Sequence, residues 1–173
     1  LNLGGDRRPR DSVTLQAISA VGQGGLIRTY REELGRHGLI TGQVLLAPLD
    51  FFVRAQYLHA RGTLNRLLEL GVVPVVNEND SVATEELKLG DNDRLSARVA
   101  ELADADLLLL LSDVDGLYDR DPADPAAHHI AHVSRIDEGI AAMAGGTRHE
   151  GVGTGGMATK LAAVRENDLG RQK

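Results

Sequence analysis

At 173 residues, with 42% hydrophobic and 25% charged side chains, the chain has the size and composition of one soluble globular domain with a sizeable core. The net charge of −6 argues against nucleic acid and anionic membranes as partners. With no cysteine there are no disulfides and no thiolate metal site, which fits a reducing compartment.

Residues 1–11 are polar and rich in Gly, Pro and Arg, the composition of an exposed loop. They lack the apolar centre of a signal peptide, and no apolar run approaches the ~20 residues of a membrane helix, so a cytoplasmic protein is expected. From Ser12 a helical pattern runs through Leu15, Ile18, Val21, Leu26, Ile27, Tyr30 and Leu34, with Gly38 as its stop. Gly22, Gly24 and Gly25 inside it mark either close packing of another backbone or a break. Ile40–Leu46 reads as a strand and Ala55–Leu70 as a helix closed by Gly71.

Val72, Val73, Val75 and Val76 then form a short β-branched run typical of a buried strand. It turns abruptly polar at Asn77, Glu78, Asn79 and Asp80, and a second polar knot follows at Gly90-Asp91-Asn92-Asp93. In open α/β sheets, ligands lie beyond the carboxyl ends of the strands. Arg94–Ala103 reads as the next helix, with Asp93 as its N-cap. Leu107 to Leu111, within Asp106–Ser112, read as a strand buried on both faces, ending at Ser112 and Asp113. Asp115–Pro125 has the make-up of an exposed turn, Ile130–Ser134 of a short strand, and Asp137–Met143 of a short helix. His128, His129 and His132 are loosely spaced with no carboxylate or cysteine to complete a site, which favours a surface loop over a metal site.

The stretch Gly151–Lys160 is glycine-rich and leads into a helix. Glycines there let backbone amides approach a phosphate, and the helix start adds a positive field. It is not a Walker A motif, having no Gly-Lys-Ser/Thr triplet; a flexible glycine loop is the competing reading. Lysine occurs only at Lys88, Lys160 and Lys173 in a chain that otherwise uses arginine. A retained lysine at position 160 points to a need for a compact ammonium. Strand and helix alternate, which predicts an α/β fold with a mainly parallel sheet.

Four ordered segments carry a resemblance: VPVVNENDSVAT at Val73–Thr84, KLGDNDRLSA at Lys88–Ala97, LLLLSDVDGLY at Leu108–Tyr118 and GVGTGGMATKL at Gly151–Leu161. SAVGQ at Ser19–Gln23 supports them. Together they resemble the amino acid kinase family, and most closely its glutamate-phosphorylating members. The resemblance implies a three-layer αβα sandwich, incomplete at both ends, over residues 1–164, with 165–173 as a hydrophilic tail. It implies ATP-dependent phosphorylation of the γ-carboxylate of L-glutamate, the first step of proline biosynthesis, with Mg²⁺ accompanying the nucleotide. By the same resemblance Asn77, Asp80 and Asn92 bind glutamate. Ser112, Asp113, Thr154, Gly155, Gly156, Met157, Ala158, Thr159 and Lys160 bind ATP, and Asp93 organises the active-site lysine. A homo-oligomer is implied as well. Family members begin with a strand and a lysine-bearing phosphate loop, followed by a Ser-Gly loop, and this sequence begins after both. The chain alone is therefore expected to be nearly inactive. Other amino acid kinases, acting on acetylglutamate, aspartate or a nucleoside monophosphate, and a non-catalytic binding remnant are the alternatives. The assignment requires Asp80, Asn92, Asp93 and Lys160 to converge on one cleft.

Overall fold

The computed structural model describes Pro9 and residues 11–82, 91–144 and 156–170. The chain divides into two compact units, Leu1–Leu89 and Gly90–Lys173.

The first unit is built on a parallel strand–helix–strand motif. Helix α1 spans Ser12–Gly35, capped by Asp11, whose side chain accepts from the Thr14 amide at 2.8 Å. Side-chain and backbone hydrogen bonds with Thr14 hold the Asp11 carboxyl below its ordinary pKa. The helix passes through Gly22, Gly24 and Gly25 without a break, and a Cβ at any of the three would meet open space. Neither expected role of these glycines is realised there. Strand β1, Ile40–Leu46, pairs in parallel with β2, Val72–Glu78, in a register running from Ile40 opposite Val72 to Leu46 opposite Glu78. The polar turn thus begins later than the residue types imply, since Asn77 and Glu78 are still in the ladder.

Between the strands come the single turn α2, Leu49–Phe52, and helix α3, Arg54–Glu69. Parallel strands need such a crossover to reverse the chain direction. Gly71, at φ +69°, takes the left-handed conformation that ends α3 and admits the chain to β2. Leu67 of α3 and Val72 fill the space a side chain at position 42 would need, so Gly42 lets the helix settle on β1. Ile27, Leu46 and Leu64 form the core, one residue from each of α1, β1 and α3.

In the second unit, α4 (Asn92–Leu102) packs against α6 (Met157–Gly170). α4 buries Leu95, Ala97, Ala100 and Leu102; α6 buries Ala163. Three of these five are alanines, whose small side chains permit close approach of the two helices. A two-residue antiparallel ladder joins β3 (Leu117–Tyr118) to β4 (His129–Ile130), and Asp137 caps the short helix α5 (Glu138–Met143). β3 falls within the expected turn, and β4 is shorter and earlier than the expected strand.

Two further expectations are corrected here. Residues 106–112 form no paired strand, and Leu107, Leu109 and Leu111 are 71%, 73% and 90% exposed. Leu108 and Leu110 are half-buried, so the side chains alternate as in a strand, but among the described residues there is no neighbouring ladder to bury both faces. The stretch 165–170, read as a tail, continues helix α6.

Candidate active site

Polar side chains gather in two places, one in each unit. In the first unit they lie at the carboxyl end of β2. The ladder extends one bond past the strand, with the Asn79 amide donating to the Leu46 carbonyl at 2.8 Å, and the chain then turns at Asp80. Half-buried Asp80 accepts a short hydrogen bond from the Ser19 hydroxyl of α1. Asn77 donates through Nδ2 to Gln23 Oε1 at 3.1 Å. Ser19 and Gln23 are four residues apart, hence on one face of α1. They match the three-residue spacing of Asn77 and Asp80 across the gap. α1 thereby orients both side chains expected to bind the amino acid. Ser19 and Gln23 lie in SAVGQ, but residue types gave them no role. Their signal is two polar groups one turn apart on a half-buried helical face.

In the second unit the polar centre is an ion pair. Lys160 Nζ donates to both carboxylate oxygens of Asp93, each at 3.0 Å, and both side chains are 15% exposed. Thr159 Oγ1 lies 3.2 Å from Asp93 Oδ2 and 2.7 Å from the Gly156 carbonyl. Asp93 is free for this because it is not the N-cap. The cap of α4 is Asp91, which accepts from the Arg94 amide at 3.0 Å, so Asp93 falls in the first helical turn.

Lys160 belongs to the first turn of α6, where the Thr159 and Lys160 amides point back to the Gly156 carbonyl. A cation at a helix N-terminus is opposed by the helix dipole, by about 0.3–1 kcal/mol. Asp93 offsets that penalty and fixes the ammonium within the first turn of α6. A cation beside the amide donors of a helix start is the chemistry an anion requires. Gly156, Met157 and Ala158 form this start of α6, while Thr154 and Gly155 lie outside the described residues. Ser112 and Asp113 are exposed, with the Ser112 hydroxyl donating to Asp113 at 3.4 Å. Asn92 is exposed at the first position of α4. Of the four side chains expected to converge, Asp93 and Lys160 are in direct contact within the second unit, which also carries Asn92, and Asp80 belongs to the first unit.

The remaining titratable cluster surrounds the β3–β4 ladder. Asp119 accepts from the His128 amide at 2.9 Å, and that bond, with help from Arg120, keeps its carboxyl below the ordinary range. The Tyr118 hydroxyl donates to Asp115 at 2.9 Å, which raises the phenol pKa. The His129 ring meets Tyr118 edge-on, with centroids 5.4 Å apart. Among the described residues no group of three His, Asp or Glu side chains is arranged to hold a metal.

A parallel strand–helix–strand unit and a lysine seated at a helix start after a glycine-rich stretch define the class. The profile of the amino acid kinase family matches residues 3–167, and the chain belongs to that family. Mixed helix and strand around a parallel pair is in keeping with its αβα fold. Among individual relatives the chain is similar to glutamate 5-kinase of Sphingopyxis alaskensis, 55% identical over 150 residues and 87% of the chain. It is 53% identical to glutamate 5-kinase of Salinispora arenicola over 163 residues, 94% of the chain. With glutamate 5-kinase of Caulobacter vibrioides it shares 56% identity over 152 residues, 87% of the chain. The chain spans 41%, 44% and 40% of the length of those three relatives.

Proposed function

We propose that the chain carries substrate- and phosphate-handling parts of an ATP-dependent kinase that phosphorylates the γ-carboxylate of L-glutamate, the entry to proline biosynthesis. The names of the relatives support the substrate and the reaction. The observation that carries the mechanism is Lys160, held by Asp93 at the start of α6.

The nucleophile in this reaction is the substrate's own carboxylate, with a free pKa of about 4.3, so it is ionised at neutral pH. No general base is needed. The difficulty is bringing one anion onto the terminal phosphate of another, and positioning with charge neutralisation does most of the work. Lys160 supplies a positive charge whose direction Asp93 fixes. The α6 amides supply donors that need no reorganisation. Asp80, oriented by Ser19, pairs with the α-ammonium of glutamate, while Asn77 and Asn92 contribute neutral hydrogen bonds. The Asp93 oxygens are engaged by Lys160 and Thr159, so the residues suit a Mg²⁺ ion carried on the nucleotide phosphates and not one caged by protein side chains. Ser112 and Asp113 complete the nucleotide side of the reading, together with Thr154 and Gly155. A homo-oligomer in the cytoplasm belongs to the same proposal. Among the described residues no helix is long and apolar enough to cross a membrane.

The test is calorimetric titration of the chain with ATP–Mg²⁺ and with L-glutamate, alongside a coupled assay of ADP release. Both ligands bind, acetylglutamate, aspartate and UMP do not compete, and Lys160→Met weakens ATP binding. Any turnover falls ~100- to 1,000-fold in that variant, the usual effect of removing one preorganised charge-stabilising group. Binding of both ligands with no ADP release identifies a binding unit without catalysis. Failure to bind either ligand overturns the proposal.

A further inference from the structure

The cluster at the end of β2 leaves one polar group over. Gln23 accepts from Asn77 with Oε1, but its Nε2 is shut off from solvent and has no hydrogen-bond partner among the described residues. A buried amide donor without an acceptor is costly, and such groups recur where a ligand completes the bond. The location gives the orphan a meaning. Gln23 and Ser19 are one turn apart on α1, about 6 Å along its axis, and Ser19 holds Asp80. Gln23 therefore stands on the same helical face as Ser19, which holds the carboxylate expected to receive an ammonium.

An α-amino acid presents an ammonium and a carboxylate on the same carbon. Asp80 suits the first. A neutral amide suits the second, since it donates to a carboxylate without adding a charge that competes with the ammonium for Asp80. We infer that Gln23 Nε2 is the contact for the substrate's α-carboxylate, and that Gln23 makes the site selective for an α-amino acid over a simple ω-amino carboxylate. This inference rests on the glutamate reading above and extends it to a residue with no assigned role. Besides its own contact with the substrate, Asn77 orients Gln23: its bond to Oε1 turns the donor end of that amide away from itself.

The probe is 4-aminobutyrate, which keeps the ammonium and the distal carboxylate of glutamate and lacks only the α-carboxylate. Affinities of the full chain for L-glutamate, 4-aminobutyrate and ATP are measured by calorimetry for the wild type, Gln23→Glu and Gln23→Leu. Gln23→Glu leaves Asn77 an oxygen to donate to, but replaces the orphan donor with an anionic acceptor. It weakens glutamate binding about tenfold or more, the loss of a charge-assisted bond, and leaves 4-aminobutyrate and ATP within about twofold of wild type. Gln23→Leu loses the same preference for glutamate, and because it introduces no repulsion it separates loss of the donor from added charge. Thermal unfolding of both variants shows whether the fold is retained. Unchanged selectivity in a folded variant, or an equal loss for all three ligands, overturns the inference. If the wild type prefers glutamate while the Gln23 variants behave like it, only the assignment of Gln23 fails. If the wild type binds no glutamate, the substrate reading fails and the inference falls with it.

Discussion

Replacing Asp93 by Asn tests whether the Asp93–Lys160 contact holds the second unit together as well as aiming a cation. At 3.0 Å, unit charges attract by about 5–6 kcal/mol at an effective dielectric of ~20. With 15% of each side chain exposed, desolvation and residual screening cancel more than half of that. A net coupling of about 2 kcal/mol remains. Asp93→Asn keeps the shape and one acceptor oxygen, strands the ammonium near a helix N-terminus, and is expected to cost about 2–3 kcal/mol. Lys160→Met removes the charge and keeps much of the aliphatic stem, at about 1–2 kcal/mol. The assay is urea unfolding of wild type, both single variants and the double variant, analysed as a double-mutant cycle. The double variant is expected to be about 2 kcal/mol more stable than the sum of the single losses predicts. The coupling should change little with added salt, since a half-buried pair is poorly screened. A coupling below about 0.5 kcal/mol would place the pair with ordinary surface ion pairs and refute the claim that Asp93 fixes Lys160.

Three other outcomes follow from the packing and the loops. Leu102→Ala, at a fully buried position near the end of α4, should destabilise by about 2–5 kcal/mol in the same assay, whereas exposed Leu58→Ala should stay within about 0.5 kcal/mol. Gly116 stands at φ +156° with the His129 ring where a Cβ would be, so Gly116→Ala should cost about 1–3 kcal/mol and move the His129 and Tyr118 ring resonances in NMR spectra. Asp119 has a depressed pKa, so its contribution to the β3–β4 ladder is complete above the ordinary value of 3.8 and is lost as pH falls through the lower folded value. Amide exchange at His128 should accelerate over that acidic range, and Asp119→Asn should remove the pH dependence.

The parts legible in the sequence are those fixed by near neighbours along the chain. The Ile40–Leu46 strand, the α3 helix with its Gly71 stop, and the valine-rich start of β2 depend on side-chain period, branching and one left-handed glycine, all local properties. The two polar knots could be located for the same reason: abrupt changes from apolar to amide and carboxylate residues are visible in the letters. The cap of α4 is Asp91 and not the expected Asp93, because the two are equally good caps by type and only backbone geometry chooses between them.

What tertiary structure decided is partnership between distant residues. Five leucines mark an apolar segment but not its neighbours, and with no strand beside it among the described residues Leu107, Leu109 and Leu111 stay exposed. Asp93 and Lys160 are 67 residues apart, and Asn77 and Gln23 are 54 apart. Spacing along the chain cannot reveal that one aspartate seats a lysine against a helix dipole, or that one glutamine is left with a buried donor. Hydrogen bonds and charge pairs have ranges of a few ångströms in space, and folding alone determines which side chains come that close.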